Sequence, residues 1–169
     1  MLIQISGADK ATSAEPQPSG GVKTDIMRRK RLECQDLKCQ WVNMFDHVQI
    51  KVGDLARSRA FYVATLGALG YGVVFEIPDV VVGFGLDVHN MFEIRQASAD
   101  AKLTCEVHLA FKAEDEAKVR AFYQAALEMG GTGNGQPGLR PDYEPDYYAA
   151  FALDPDGNNI EAVTKKSEN

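Results

Sequence analysis

The chain has 169 residues, 45% of them hydrophobic, and a formal net charge of −6. That suffices for one domain or two small modules around a shared core, while the acidic balance argues against a partner built on phosphate backbones and no apolar run approaches the ~20 residues of a membrane-spanning helix. Cys34, Cys39 and Cys105 form no disulfide framework, so a reducing cytoplasm is the expected setting.

Residues 1–43 contain "GADKATSAEPQPSGGVKTD", rich in Gly, Pro, Ser and charge without an apolar period. This composition buries too little surface to offset its ordering entropy and predicts a disordered or weakly helical leader. Arg28, Arg29, Lys30 and Arg31 read either as an import or anionic-surface patch or as a solvated charge run on a short helix. Cys34 and Cys39 have no second Cys or His pair nearby and read as free thiols. Met44 directly precedes the first predicted strand, so the ordered domain is expected over 44–167 and the leader is expected to be dispensable.

"FDHVQIKV" alternates, with Val48, Ile50 and Val52 on one side and His47, Gln49 and Lys51 on the other. Asp54 then stands where a helix should begin, able to accept from free backbone N–H groups. Phe61, Tyr62, Thr65, Leu66 and Leu69 recur at helical spacing as the face that covers a sheet. "YGVVFEIP", "VVVGFGL" and "MFEIRQ" come next as three strands, completing a βαβββ unit.

The unit then returns. Sliding the chain by 61 positions superposes residues 47–70 on 108–131, with eleven of the 24 pairs identical, His47/His108, Asp54/Asp115, Phe61/Phe122, Tyr62/Tyr123 and Gly70/Gly131 among them. Self-similarity of this density marks one supersecondary unit used twice, and predicts module one over 45–98 and module two over 103–166. The second helical face should be Phe122, Tyr123, Ala126, Leu127 and Met129. "GTGNGQPGLRPDYEPD" reads as a long Gly/Pro loop where a strand should stand, before the strands "YYAAFALD" and "NNIEAVTK" and the turn "DPDGNN" between them.

Each module thus places a histidine on its first strand and a carboxylate on its last: His47 with Glu93, and His108 with Glu161. Two imidazoles and one or two carboxylates suit Zn, Ni, Mn, Co or Fe(II), with positions left for water or substrate. His89 has no repeat counterpart and sits in a turn-like "DVHN". Glu161 and Glu93 are also candidate catalytic bases beside such an ion. Arg140 and Tyr148, with Tyr143 and Tyr147, are candidates for binding an anionic small-molecule substrate at the mouth, Arg140 reading equally as a solvated loop residue.

"DHVQIKVGDLARSRAFY", "VHLAF" and "DPDGNNIE" resemble the vicinal oxygen chelate superfamily, which includes glyoxalase I, fosfomycin-resistance thiol transferases, extradiol dioxygenases and bleomycin-resistance proteins. The resemblance spans about residues 45–165 and implies an α+β fold of two paired βαβββ modules around a U-shaped sheet cleft. It implies that His47, His108 and Glu161 are metal ligands, with Glu93 at the fourth, glyoxalase-type position, and that the chain forms a homodimer. It leaves three activities open: a metal-dependent lyase or isomerase of glyoxalase type, an extradiol dioxygenase or thiol transferase, and a metal-free small-molecule-binding module.

Overall fold

The computed structural model describes residues 45–165, so the expectations for the leader, its basic run and Cys34 and Cys39 lie outside the described residues. The elements run in the order β1 (His47–Val52), α1 (Leu55–Leu69), β2 (Gly72–Ile77), β3 (Val81–Gly85), β4 (Met91–Gln96), β5 (His108–Lys112), α2 (Glu116–Glu128), β6 (Thr132–Leu139), β7 (Tyr147–Leu153) and β8 (Asn159–Lys165). They form two mixed sheets in the orders β1-β4-β3-β2 and β5-β8-β7-β6, so each βαβββ unit folds into a sheet of its own. Among the described residues no helix is long and apolar enough to cross a membrane.

Both helices start where an aspartate frees its carboxylate for the backbone. Asp54 Oδ1 accepts from the Arg57 N–H at 2.9 Å and Asp115 Oδ1 from the Lys118 N–H at 2.8 Å, each satisfying a donor that the first turn leaves unpaired. Along α1, Phe61, Tyr62, Thr65, Leu66 and Leu69 are all buried. On α2 the buried stripe is narrower: Val119, Phe122 and Ala126. Leu127 and Met129, expected in that stripe, are exposed. Leu127 lies toward the glycine strand β6, against the Gly133 backbone, where there is no side chain to bury against.

The apolar faces of both sheets feed one core. Ile50, Val52, Phe84, Phe92 and Ile94 from the first sheet and Ala150, Ala152, Ile160 and Ala162 from the second pack with the two helices in a single cluster, and Phe92 meets Phe111 across the modules with ring centroids 5.3 Å apart. Burial of each large apolar side chain contributes about 1.5–3 kcal/mol. The "DPDGNN" turn adds a polar tie. Asp154 is buried and accepts from the Tyr62 hydroxyl at 2.6 Å and from the Asn158 side chain at 2.9 Å, while Asp156 accepts from the Gly53 N–H and pairs with Arg57.

The second module departs from expectation at one strand. The stretch read as a Gly/Pro loop is β6 over Thr132–Leu139, and the loop is confined to the residues between Leu139 and Tyr147. As an edge strand paired with β7 alone, β6 can shift register between Gly133 and Gly135 and again between Gly135 and Gly138, which accommodates Pro137 without a lost ladder bond.

Candidate functional site

With one face of each sheet given to the core, the opposite face stays open, and strand registry decides what stands there. Gln49 pairs with Glu93 across β1 and β4, and Ala110 pairs with Glu161 across β5 and β8. Gln49 and Ala110 are repeat equivalents, so the two glutamates occupy the same place in the two sheets, one pleat from the two histidines. Both carboxylates are buried, Glu93 at 7% and Glu161 at 2% exposure, while both imidazoles remain half exposed.

The two pairs are held differently. In module one, His47 Nδ1 donates to Asp46 Oδ1 at 2.9 Å and Gln49 Nε2 donates to Glu93 Oε2 at 2.7 Å. The bond to Asp46, followed by the charge of Glu93, raises the His47 pKa above its ordinary value. In module two, His108 Nε2 donates directly to Glu161 Oε2 at 2.8 Å, and the Tyr147 hydroxyl donates to Glu161 Oε1 at 2.6 Å. Burial first, and then the bond to Glu161, raise the Tyr147 phenol above its ordinary range, so it remains a donor.

Among the described residues, no three of the His, Cys, Asp and Glu side chains come close enough to hold one metal ion. The donors stand as two pairs on two sheets whose buried faces share a core. The chemistry of the set suits a divalent ion, since neutral imidazole and carboxylate are its usual ligands, but each pair offers a chain only two of them.

Arg140 and Tyr143 line an open hollow of about 400 Å³ with His108, Asn134, Gly135, Phe151 and Asn159. Tyr148 does not. On β7 it pairs with Thr164, on the sheet face opposite Glu161, and its hydroxyl accepts from Arg120 Nη1 at 3.0 Å. Its neighbour Tyr147 takes the open-face position, because successive strand residues point to opposite sides. Asp46 and Gln49, which position His47 and Glu93, were not singled out by sequence; adjacency to His47 and the period of β1 are the signals that mark them. A second cavity of about 600 Å³, mostly apolar, lies between the modules along the outer edge of β5, lined by Val48, Leu66, Phe84, Phe92 and Phe111 with exposed Phe45 and Leu86 at its rim. His89 sits there, exposed, and His108 lines the same cavity; no carboxylate is bonded to the His89 ring among the described residues.

The Glyoxalase/Bleomycin resistance protein/Dioxygenase superfamily model matches residues 44–162. The chain belongs to this superfamily. Among superfamily structures, a glyoxalase/bleomycin resistance protein from Albidiferax ferrireducens is 32% identical, with 71% of this chain and 98% of that one covered and a TM-score of 0.64. A putative glyoxalase from Bacillus halodurans is 26% identical over 72% of this chain and 96% of that one, at a TM-score of 0.56. A glyoxalase I variant from Zea mays is also 26% identical, but the match covers 70% of this chain and 45% of the maize chain, at a TM-score of 0.55. Comparison with curated proteins gives no match. Membership accounts for the two βαβββ units, while the reaction has to be argued from the side chains.

Proposed function

We propose that two copies of this chain form a divalent-metal-dependent enzyme of glyoxalase I type, which moves a proton beside a carbonyl of a small oxygen-chelating substrate in the cytoplasm. The observation that carries this reading is the pair of His–Glu half-sites at equivalent register positions on the open faces of two sheets. A two-fold dimer that sets the module-one face of one copy against the module-two face of the other would unite His47, Glu93, His108 and Glu161, twice per dimer. The unpaired edge of β5 and the exposed Phe45 and Leu86 beside it give such a partner apolar surface to cover. The likeness to a maize glyoxalase I, at 26% identity, supports the class of reaction.

A divalent ion bound by these four side chains would polarise the substrate carbonyl and stabilise the enediolate left by proton removal. The protein's own residues set up the rest. Asp46 occupies Nδ1 of His47 and so leaves Nε2 available, the nitrogen that His108 also turns toward its carboxylate. Tyr147 and His108 engage both oxygens of Glu161, whereas Gln49 engages only one oxygen of Glu93. Both carboxylates are candidate proton carriers, and Glu93 is the less constrained. Metal-free small-molecule binding, which the apolar cavity between the modules favours, is the second reading.

Elemental analysis with sedimentation tests the proposal on wild type and on His47→Ala, His108→Ala, Glu161→Ala, Glu93→Ala and His89→Ala. Wild type should sediment as a dimer with two ions. The first three variants should lose metal affinity by ~10-fold or more, and His89→Ala should match wild type. Equal metal content throughout, or a monomeric wild type, would reject the shared site and leave metal-free binding. Retention in Glu93→Ala alone would make Glu93 a base rather than a ligand.

A further inference from the structure

We infer that the hollow in front of His108 is a carboxylate-binding subsite, in which the Arg140 guanidinium grips the carboxylate of a small planar substrate lying along Phe151. The inference rests on the proposed metal enzyme, since it names the substrate class of the same site. Arg140 is aimed by its own strand: Nη2 donates to the Gln136 carbonyl at 2.6 Å and Nη1 to the Leu139 carbonyl at 3.3 Å. Its guanidinium lies 5.5 Å from the Phe151 ring centroid. Among the described residues no carboxylate comes within ion-pair distance of it, and its Nε–H has no partner among them.

The glycines of β6 clear the space for this arrangement. A Cβ on Gly135 would stand 2.8 Å from the Phe151 ring, and one on Gly138 would stand 3.2 Å from Arg140 Nη1. Ring and guanidinium therefore rest on bare backbone, which explains glycine at positions where a sheet gains nothing from it. The other polar groups add donors. Asn134 Nδ2 donates to Asn159 Oδ1 at 3.0 Å, leaving the Asn159 amide N–H groups, and Tyr143 brings a hydroxyl to the same lining. Of the nearby carboxylates, Glu144 is engaged by Lys165 and Glu161 by His108 and Tyr147, and Asp142 and Asp146, in the same loop, make no ion pair with Arg140. One uncompensated cation, a flat apolar floor and neutral donors match a singly charged carboxylate, whereas a phosphate dianion would call for more positive charge.

Benzoate is the probe, with benzamide and inorganic phosphate as comparators, titrated into full-length protein by ligand-observed NMR before and after chelator treatment. Wild type should bind benzoate at least ~10-fold more tightly than benzamide, which has no charged pair of oxygens for the guanidinium fork, and than phosphate, which has no ring to lie along Phe151 and carries more charge than one guanidinium offsets. Arg140→Met should lose that preference and Arg140→Lys, with charge but no fork, should keep part of it. Gly138→Ala, which crowds the guanidinium, should weaken benzoate without affecting benzamide. Benzoate binding unchanged in Arg140→Met, or benzamide or phosphate held as tightly as benzoate by wild type, would overturn the subsite. Metal content on the same samples separates the two readings. Arg140-dependent benzoate binding in a wild type that takes up no metal keeps the subsite and rejects the metal enzyme; metal uptake without benzoate preference does the reverse. Circular dichroism confirms that each variant is folded.

Discussion

Module one and module two carry the same pair of groups in the same register, yet only module two closes its pair on itself. His108 and Glu161 are bonded directly and Tyr147 holds the remaining carboxylate oxygen. His47 and Glu93 are each satisfied by an auxiliary, Asp46 and Gln49, that leaves ligand atoms unengaged. Duplication therefore fixed where the donors sit, while the residues around them have diverged. The two faces are unlike halves, which is what a site assembled from one face of each kind requires.

The test with the largest expected effect asks whether the halves meet across two chains. His47→Ala damages module one and His108→Ala damages module two, so either variant alone should form dimers with no intact site. In a mixed dimer one of the two sites draws on both undamaged modules. Co-refolding equal amounts should then restore about a quarter of wild-type metal content, since half of randomly formed dimers are mixed and each regains one site of two. No recovery above the separate variants would mean that each site lies within one chain or that none exists.

Much of this organisation is legible in the sequence, for definite reasons. The 61-residue repeat and the period-two pattern of "FDHVQIKV" give the modules and the outward-facing histidines, because alternation fixes a side chain's face before any packing is known. Tyr147 and Tyr148 show the limit of the same rule. Adjacent identical residues differ only by phase, and the phase of β7 is set by its pairing with β8. Strand β6 is hidden because its glycines answer to Phe151 and Arg140, distant in sequence or lying past its end, and not to local strand preference. That the four donors form two pairs follows from how the sheets share a core, a tertiary fact that periodicity does not carry.

Gly70 and Gly131 sharpen the comparison at the backbone. They align at the 61-residue offset, but the second helix ends earlier, so the left-handed, open position that Gly70 takes after α1 (φ 99°) falls to Gly130 in module two (φ 84°), while a Cβ on Gly131 would stand 2.8 Å from the carbonyl oxygens of Ala126 and Leu153 and from the Phe61 ring. Gly70→Ala should cost about 1 kcal/mol of stability through the left-handed conformation alone. Gly131→Ala must move two backbone carbonyls or a buried ring and should cost about 3 kcal/mol. Urea denaturation measures both, and equal losses would mean that the close approach at Gly131 costs no more than the left-handed turn at Gly70.

Tyr62 and Tyr123 provide the smallest contrast and the one with a pH signature. Tyr62 is fully buried and donates to Asp154, tying α1 to the turn of the other module, whereas its repeat partner Tyr123 is partly exposed and has no hydrogen-bonded partner among the described residues. Tyr62→Phe should therefore cost about 2 kcal/mol, as expected for a bond to a buried carboxylate, and Tyr123→Phe should stay within ~0.5 kcal/mol of wild type. Burial first, and then the charge of Asp154, raise the Tyr62 pKa well above its ordinary value. The folded state thus keeps this proton when the unfolded chain releases it near pH ~10. The contribution is complete below that pH and is lost as pH rises from there toward the folded-state value, because the unfolded state then binds fewer protons. Tyr71 and Tyr147 are shifted in the same direction and are present in both proteins, so the difference between wild type and Tyr62→Phe isolates Tyr62. Stability measured by urea denaturation from pH 8 to about 11 should fall more steeply in wild type than in Tyr62→Phe. If the two curves are parallel, the buried tie between the modules does not hold its proton in the way the contact with Asp154 requires.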